Sequence, residues 1–115
     1  LHMEEIGLTP NTVTYNLVIN ACATRGDAKQ AEKWLLHMIA RGLKPNEVTY
    51  GTICKVLART GCVERIEEIM VQLEQSGLTL NEYFYASLIS ACGASDPPNI
   101  GRAEKALFDM VARVL

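Results

Sequence analysis

Apolar side chains recur along the chain at intervals of three and four residues, the spacing of one face of an α-helix. Glycines and capping residues such as Gly26 and Asp27 separate the apolar runs, as expected at the end of one helix and the start of the next. The pattern therefore predicts three helical hairpins. Their apolar positions are Tyr15, Val18, Ile19, Cys22, Ala28, Ala31, Leu35 and Met38; then Tyr50, Ile53, Cys54, Leu57, Val63, Ile66, Met70 and Leu73; then Tyr85, Leu88, Ile89, Cys92, Ala103, Leu107 and Met110.

The hairpins follow an internal repeat of 35 residues. Residues 13–15 read Val-Thr-Tyr, and so do residues 48–50. The pair Pro10-Asn11 matches Pro45-Asn46, and Asn46 matches Asn81 in turn. We expect each of these asparagines to stand just before a helix.

The register divides the chain into an end of a truncated preceding repeat at 1–11 and three repeats at 12–46, 47–81 and 82–115. The third repeat accommodates two extra residues in the loop at 94–99, where Asp96-Pro97-Pro98 breaks a helix. With that insertion, residues 113–115 match residues 41–43, and residues 1–3 match residues 36–38. We interpret both ends as positions inside a longer array, which makes the third repeat truncated.

A single helix pair cannot bury its apolar face, whereas stacked pairs bury a continuous core. At 49% hydrophobic and 21% charged residues, the composition is that of a folded chain. The predicted fold class is all-α, an α-solenoid of stacked helix–turn–helix repeats with a 35-residue period.

The repeat Val13-Thr14-Tyr15-Asn16, followed by Gly26, Ala31, Leu35, Met38, Gly42 and Pro45-Asn46, resembles the pentatricopeptide repeat (PPR). The likeness extends over almost the whole chain, as a fragment of about three repeats. The middle repeat departs from the pattern at Gly51, Ile66 and Leu80, and the third departs from it at Tyr83-Phe84, in its loop and at Val114. The resemblance implies a module that binds single-stranded RNA, about one base per repeat, through two or three side chains.

The resemblance also implies which residues contact RNA. The second position of each repeat clamps between bases, whereas the fifth and last positions contact the base edge. The clamp positions are Val13, Val48 and Tyr83; the fifth positions are Asn16, Gly51 and Ala86; the last positions are Asn46 and Asn81, and Asn11 would serve the preceding repeat. By the family's pairing rule, Asn16 with Asn46 implies a pyrimidine, with cytosine favoured. Gly51 with Asn81 implies weak preference for adenine or none, and the third repeat, without its last position, cannot be assigned.

Each of these residues also has a structural interpretation. Asn46 and Asn81 can be helix N-caps, alone or together with base contact. Val13, Val48 and Tyr83 can be core residues. Asn16 is harder to explain structurally, because asparagine is a weak helix former. We interpret Trp34 as packing between helices.

The charge is −2 overall, but it is unevenly placed. In the first helices Arg25, Lys55 and Arg59 outweigh Glu47 and Glu82, which leaves a net charge of +1. The segment 61–77 has a net charge of −3, and we expect this acidic helix to face outward with its charges solvated. Only Arg59, with Lys55 and Arg25, can then contact phosphates, so we expect weak, salt-sensitive RNA binding by this chain alone.

No motif for catalysis, cofactor binding or metal binding is present. The four cysteines lack a C-x-x-C spacing, so we interpret them as small hydrophobic residues in a reducing compartment. His2 and His37 occupy one repeat position without partners suited to zinc. We therefore expect no enzyme activity from this segment, no cofactor, and no membrane span.

The first hypothesis is a sequence-selective RNA-binding module that acts in RNA processing or expression. The alternative is an α-solenoid scaffold that binds other proteins, or a second copy of the chain, without reading RNA. The acidic overall charge and the small residues Gly51 and Ala86 favour this alternative. Mitochondrial or chloroplast localisation is implied by the family resemblance alone.

Overall fold

The computed structural model describes residues 10–114, so the predictions that concern residues 1–9, His2 among them, lie outside the described residues. Six α-helices and no strand occur in that range: α1 (Thr12–Thr24), α2 (Ala28–Ala40), α3 (Glu47–Arg59), α4 (Val63–Gln75), α5 (Glu82–Ala94) and α6 (Ile100–Val114). The first helices α1, α3 and α5 begin 35 residues apart, which agrees with the predicted period. The second helix of the third hairpin, α6, begins two residues later than that period requires.

An asparagine side chain begins each of the first helices. The side-chain oxygens of Asn11 and Asn46 accept the backbone N–H of Thr14 and Thr49, and each threonine hydroxyl accepts the asparagine's own N–H. Asn81 accepts the N–H of Tyr83 instead. These bonds satisfy backbone donors that would otherwise lack a partner, so the structural role expected for Asn46 and Asn81 is confirmed.

Glycines in the left-handed region end four of the helices, at Gly26, Gly42, Gly61 and Gly77. After each glycine a backbone N–H bonds back to a carbonyl in the last turn of the helix, as in Cys62 N to Leu57 O at 3.2 Å. Gly61 is also crowded, because a Cβ there would lie 2.8 Å from the backbone of Ser95. At this position the third hairpin approaches the second too closely for any side chain.

The helices stack in two layers. In the first-helix layer, α1 packs on α3 and α3 packs on α5, and each second helix packs on its own first helix. Tyr15, Tyr50 and Tyr85 occupy the same position in successive first helices and are buried in the core. This arrangement confirms the all-α solenoid. Trp34 is half-buried against the core, as expected for packing between helices.

Ion pairs connect the second helices. Arg65 of α4 pairs with Glu32 of α2, while Arg102 of α6 lies 2.9 Å from a carboxylate oxygen of Glu64 and 3.6 Å from one of Glu67. The acidic residues of α4 lie on the surface, as expected, but several of them are also paired. Arginines on the neighbouring helices, which the spacing within α4 does not reveal, take up several of these carboxylates.

The third hairpin departs from the other two at its second helix. Asn99 begins α6 by accepting the N–H of Arg102 at 3.1 Å. In the first hairpin α2 ends at Ala40, which corresponds to residue 112, and a turn follows, whereas α6 continues to Val114. A glycine, Gly42, makes that turn in the first hairpin, whereas valine at 114 does not favour the left-handed conformation.

Candidate nucleic-acid interface

The three predicted clamp residues lie on the surface near the start of the first helices. Val13, Val48 and Tyr83 are 65%, 63% and 45% exposed, so the alternative that they are core residues is wrong. Each is in the first turn of a helix that an asparagine has just capped. Exposed apolar side chains at a regular spacing along one layer are available to a ligand with apolar faces.

Between Val13 and Val48, the side chains of Asn16 and Asn46 meet. The Asn16 Nδ2 donates to Asn46 Oδ1 at 3.4 Å. The hydroxyl of Thr49, a fully buried residue, donates to Asn16 Oδ1 and lies 3.1 Å from Asn46 Oδ1. The two predicted edge-contact residues of the first repeat are thus joined by a threonine that the predicted site does not include.

This network fixes which polar atoms remain for a ligand. The Asn46 oxygen accepts the backbone N–H of Thr49 at 3.1 Å, which determines the orientation of that amide. The Asn16 oxygen is occupied by the Thr49 hydroxyl. An asparagine amide carries two N–H donors and an oxygen with two lone pairs, so both N–H groups of Asn46, one of Asn16 and one lone pair of the Asn16 oxygen remain. The site therefore presents more donors than acceptors.

The corresponding residues of the second repeat line one open groove. Val48, Gly51, Asn81 and Tyr83 surround a space of about 300 Å³, with Phe84 at its edge. Gly51 offers no polar side chain, and the Tyr83 hydroxyl donates to its carbonyl oxygen at 3.2 Å. This groove gathers the predicted residues of the second repeat, but only Asn81 contributes a polar amide.

A second open groove of about 360 Å³ lies on the other side of Tyr83 and contains the available cations. Lys55 and Arg59, both exposed, line it together with Tyr83 and Ala86. Ser87 and Ser90 add hydroxyl groups. The two cations thus lie beside the groove of the second repeat, whereas Glu47 lies in that groove's wall. The charge of this surface is close to neutral, as the sequence predicts.

Two of the cysteines, Cys54 and Cys92, are buried in the core of the part of the chain described. Burial raises the pKa of Cys54 to about 12 and also raises the pKa of Cys92, which keeps both thiols protonated at neutral pH. Among residues 10–114, no group of three or more His, Cys, Asp or Glu side chains is placed to hold a metal ion. None of the described helices has the length and hydropathy needed to cross a membrane.

Two contacts at the candidate site, Thr49 with Asn16 and Tyr83 with Gly51, differ in how much of each the sequence predicts. An asparagine followed three residues later by threonine, as at Asn46 and Thr49, is a sequence signal for a reciprocal cap. That signal identifies the cap but not the contact of Thr49 with Asn16, 33 residues earlier. The contact of Tyr83 with Gly51 has no sequence signal, because it depends on the direction that the ring takes across two helices.

Comparison with known proteins shows which protein family the repeats match and which solved structures have a similar fold. Residues 10–59 match the PPR repeat family, while no curated protein sequence matches the chain. The chain is similar to the pentatricopeptide repeat protein PPR10 from maize, with a TM-score of 0.84 and 23% identity over 99% of the chain. It is also similar to PPR10 in complex with an 18-nt psaJ RNA element (TM-score 0.82, 25% identity over 90% of the chain).

A third similar structure is the PPR domain of the Arabidopsis thaliana protein-only RNase P 1 in complex with tRNA, with a TM-score of 0.80 and 21% identity over 99% of the chain. The chain spans 16% of free PPR10, 15% of PPR10 in its RNA complex and 58% of the RNase P domain. These similarities concern the stacked hairpins and do not extend to the rest of those proteins.

Proposed function

We propose that the first-helix layer of this chain binds single-stranded RNA and that its first repeat selects a pyrimidine, with cytosine preferred, as the match of residues 10–59 to the PPR repeat family suggests. The observation that carries this proposal is the hydrogen-bonded pair of Asn16 and Asn46 between the exposed side chains of Val13 and Val48. The similar PPR10 and RNase P structures contain RNA, which supports the same ligand class.

The preference for cytosine follows from the donors that the network leaves. A cytosine edge carries two adjacent acceptors, N3 and O2, whereas the uracil edge places an N–H donor between its two carbonyl oxygens. Two amides that present three N–H donors and a single remaining acceptor match the cytosine edge better, because a donor that faces a donor stays unpaired. Valines above and below suit the flat faces of an unstacked base.

Capping and base contact are compatible at Asn46. The cap uses the side-chain oxygen, while the Nδ2 group has no hydrogen bond from the described residues that competes with a base. We propose the same division for Asn81, whose oxygen accepts the Tyr83 N–H. Asn11, Lys55, Arg59 and Ala86 complete the proposed RNA-binding set.

The test is fluorescence anisotropy of the chain with labelled hexamers of a single base at low salt. Hexamers avoid any assumption about register. We expect tighter binding of the cytosine hexamer than of the uracil hexamer, and a loss of about fivefold for cytosine in Asn16→Ala, the worth of one hydrogen bond. Gln30→Ala, which removes an exposed amide from the second helix α2, is the matched control. Equal affinity for all four hexamers, unchanged by Asn16→Ala, would mean that these amides are only structural.

The alternative function is a scaffold that binds protein, and one observation favours it. In α6, Leu107, Phe108 and Val111 are 46%, 69% and 46% exposed, although Leu35 occupies the position of Leu107 in the first hairpin and is buried. In a solenoid, another hairpin would stack on this face, which accounts for its apolar character without a separate protein partner. We therefore favour RNA as the ligand of the first-helix layer. RNA binding weakens as salt rises, whereas an apolar contact with a protein does not.

Localisation and the wider role follow from the family alone. We propose a mitochondrial or chloroplast protein that acts in RNA processing or expression, with the chain contributing binding rather than catalysis. Import of the full-length protein, fused to a fluorescent reporter, into either organelle is the measurement that tests this location.

A further inference from the structure

The second repeat differs from the first at two of the three positions of the Asn16–Asn46–Thr49 network and at the clamp position that follows it. Gly51 replaces Asn16, Tyr83 replaces Val48, and Phe84 replaces Thr49. Phe84 is buried and has no hydroxyl that could hold an amide at position 51. The second repeat therefore lacks both the edge-contact side chain and the group that would orient it.

The ring of Tyr83 occupies the space that a side chain at position 51 would need. A Cβ on Gly51 would lie 3.2 Å from the Tyr83 Cε1 atom and 3.7 Å from Cδ1. The hydroxyl of Tyr83 donates to the Gly51 carbonyl oxygen at 3.2 Å, which holds the ring in this position. On its other side the ring meets Phe84 edge-on, with centroids 5.8 Å apart and planes at 88°.

The hydroxyl is thereby directed at the backbone. Burial raises the pKa of the Tyr83 phenol, so the group remains a neutral donor at neutral pH and its single proton is used by Gly51. What Tyr83 leaves for a ligand is ring surface, since the side chain is 45% exposed. A ring binds any base by stacking, because every base has a π-face.

We propose that Tyr83 is the residue that abolishes base selection in the second repeat. Its ring stacks on any base, and it excludes an edge-contact side chain at position 51. The proposal rests on RNA binding by the first-helix layer. It goes beyond the family's pairing rule, because it assigns the lack of selection to a contact between Gly51 and a residue of the next repeat.

The experiment uses labelled pentamers NNCNN, in which N is adenine, guanine or uracil throughout. The central cytosine serves the first repeat, and identical bases on both sides remove the need to know the strand direction. For the unchanged chain we expect affinities within about threefold for the three sequences. Tyr83→Ala is expected to lower all of them by about tenfold, because the stacking surface is lost.

Three further variants distinguish the contribution of the Tyr83 ring from those of its hydroxyl and of Gly51. Tyr83→Phe keeps the ring and should change each affinity less than about twofold. Gly51→Asn with Tyr83→Val and Phe84→Thr restores all three side chains of the first-repeat type and should separate the three pentamers by about fivefold, one hydrogen bond's worth. Gly51→Asn alone places its side chain against the ring and should weaken binding without creating a preference. Circular dichroism melts show which variants keep the fold.

Several results would overturn the proposal. Discrimination among the pentamers by more than tenfold, abolished in Tyr83→Phe, would mean that the hydroxyl reads the base. Binding that responds to Asn16→Ala but not to Tyr83→Ala would refute the role of Tyr83 and leave the proposed function intact. Absence of binding to every pentamer and to the cytosine hexamer would refute both.

Discussion

The junction between the first and second repeats and the junction between the second and third share one backbone plan but differ in chemistry. At the first junction, Asn16, Asn46 and Thr49 form a polar network beneath two exposed valines. At the second, an aromatic ring lies on a glycine. The difference teaches that the period determines how the hairpins stack, whereas the residues that cross each junction determine what a repeat can bind.

The two junctions also differ at the far ends of the first helices. Gly61 ends α3 against the backbone of Ser95, and Gly26 ends α1 with no atom within 4 Å of a Cβ. Both glycines have positive φ, 71° and 74°. The hairpins therefore lie closer together at the second junction at this end as well. Substitution of these two glycines tests the difference.

The largest expected effect is on stability, at Gly61. Gly61→Ala combines the cost of a left-handed alanine with a clash against Ser95 and should lower the free energy of unfolding by about 3 kcal/mol. Gly26→Ala carries only the conformational cost and should lower it by about 1 kcal/mol. Urea denaturation of both variants measures the difference. Equal losses would show that the second junction is no tighter than the first.

A smaller effect is expected from the threonine of the first junction. Thr49→Val leaves the oxygen of Asn16 and the N–H of Asn46 without their partner, so the amides lose their fixed orientation. We expect the preference for the cytosine over the uracil hexamer to fall about fivefold, with a loss of stability of about 1 kcal/mol. Thr60→Val, whose hydroxyl donates only to the Leu57 carbonyl and contacts Cys62, is the control. An unchanged preference would remove Thr49 from the site.

The smallest effect concerns the cations beside the second junction. If Lys55 and Arg59 make the phosphate contacts, log Kd should rise with log salt at a slope of about 1.4, since each contact to a single strand contributes roughly 0.7. Arg59→Ala should reduce the slope to about 0.7 and affect all sequences alike. Lys29→Ala, on a second helix, should leave it unchanged. A slope that Arg59→Ala does not alter would place the phosphates elsewhere.

The sequence predicts the fold well because the fold depends on spacing. Apolar positions three and four residues apart, a glycine such as Gly26 at the end of four helices and an asparagine before each first helix are all local signals, and each is found where expected. The extra residues before α6 are also visible in the sequence, since Asp96-Pro97-Pro98 interrupts the helix.

The candidate site is less predictable because it depends on contacts across junctions. The repeat register assigns Asn16, Asn46, Gly51 and Tyr83 to the positions predicted to contact RNA. It does not show in which direction each side chain points. Thr49 looks like a cap residue in the sequence, and its bond to Asn16 appears only in three dimensions.

The central claim is that the Asn16–Asn46 pair presents donors to a base, and Asn46→Asp tests it most directly. Aspartate caps a helix as well as asparagine does, so the fold should be preserved. The carboxylate replaces the donors of position 46 with acceptors, which suit the N3–H of uracil. Anisotropy with cytosine and uracil hexamers should therefore show cytosine preferred by the unchanged chain and uracil preferred by Asn46→Asp, with closely similar melting temperatures. The same order of affinities in both proteins, or a lower melting temperature as the sole change, would show that Asn46 is a helix cap and does not contact the base.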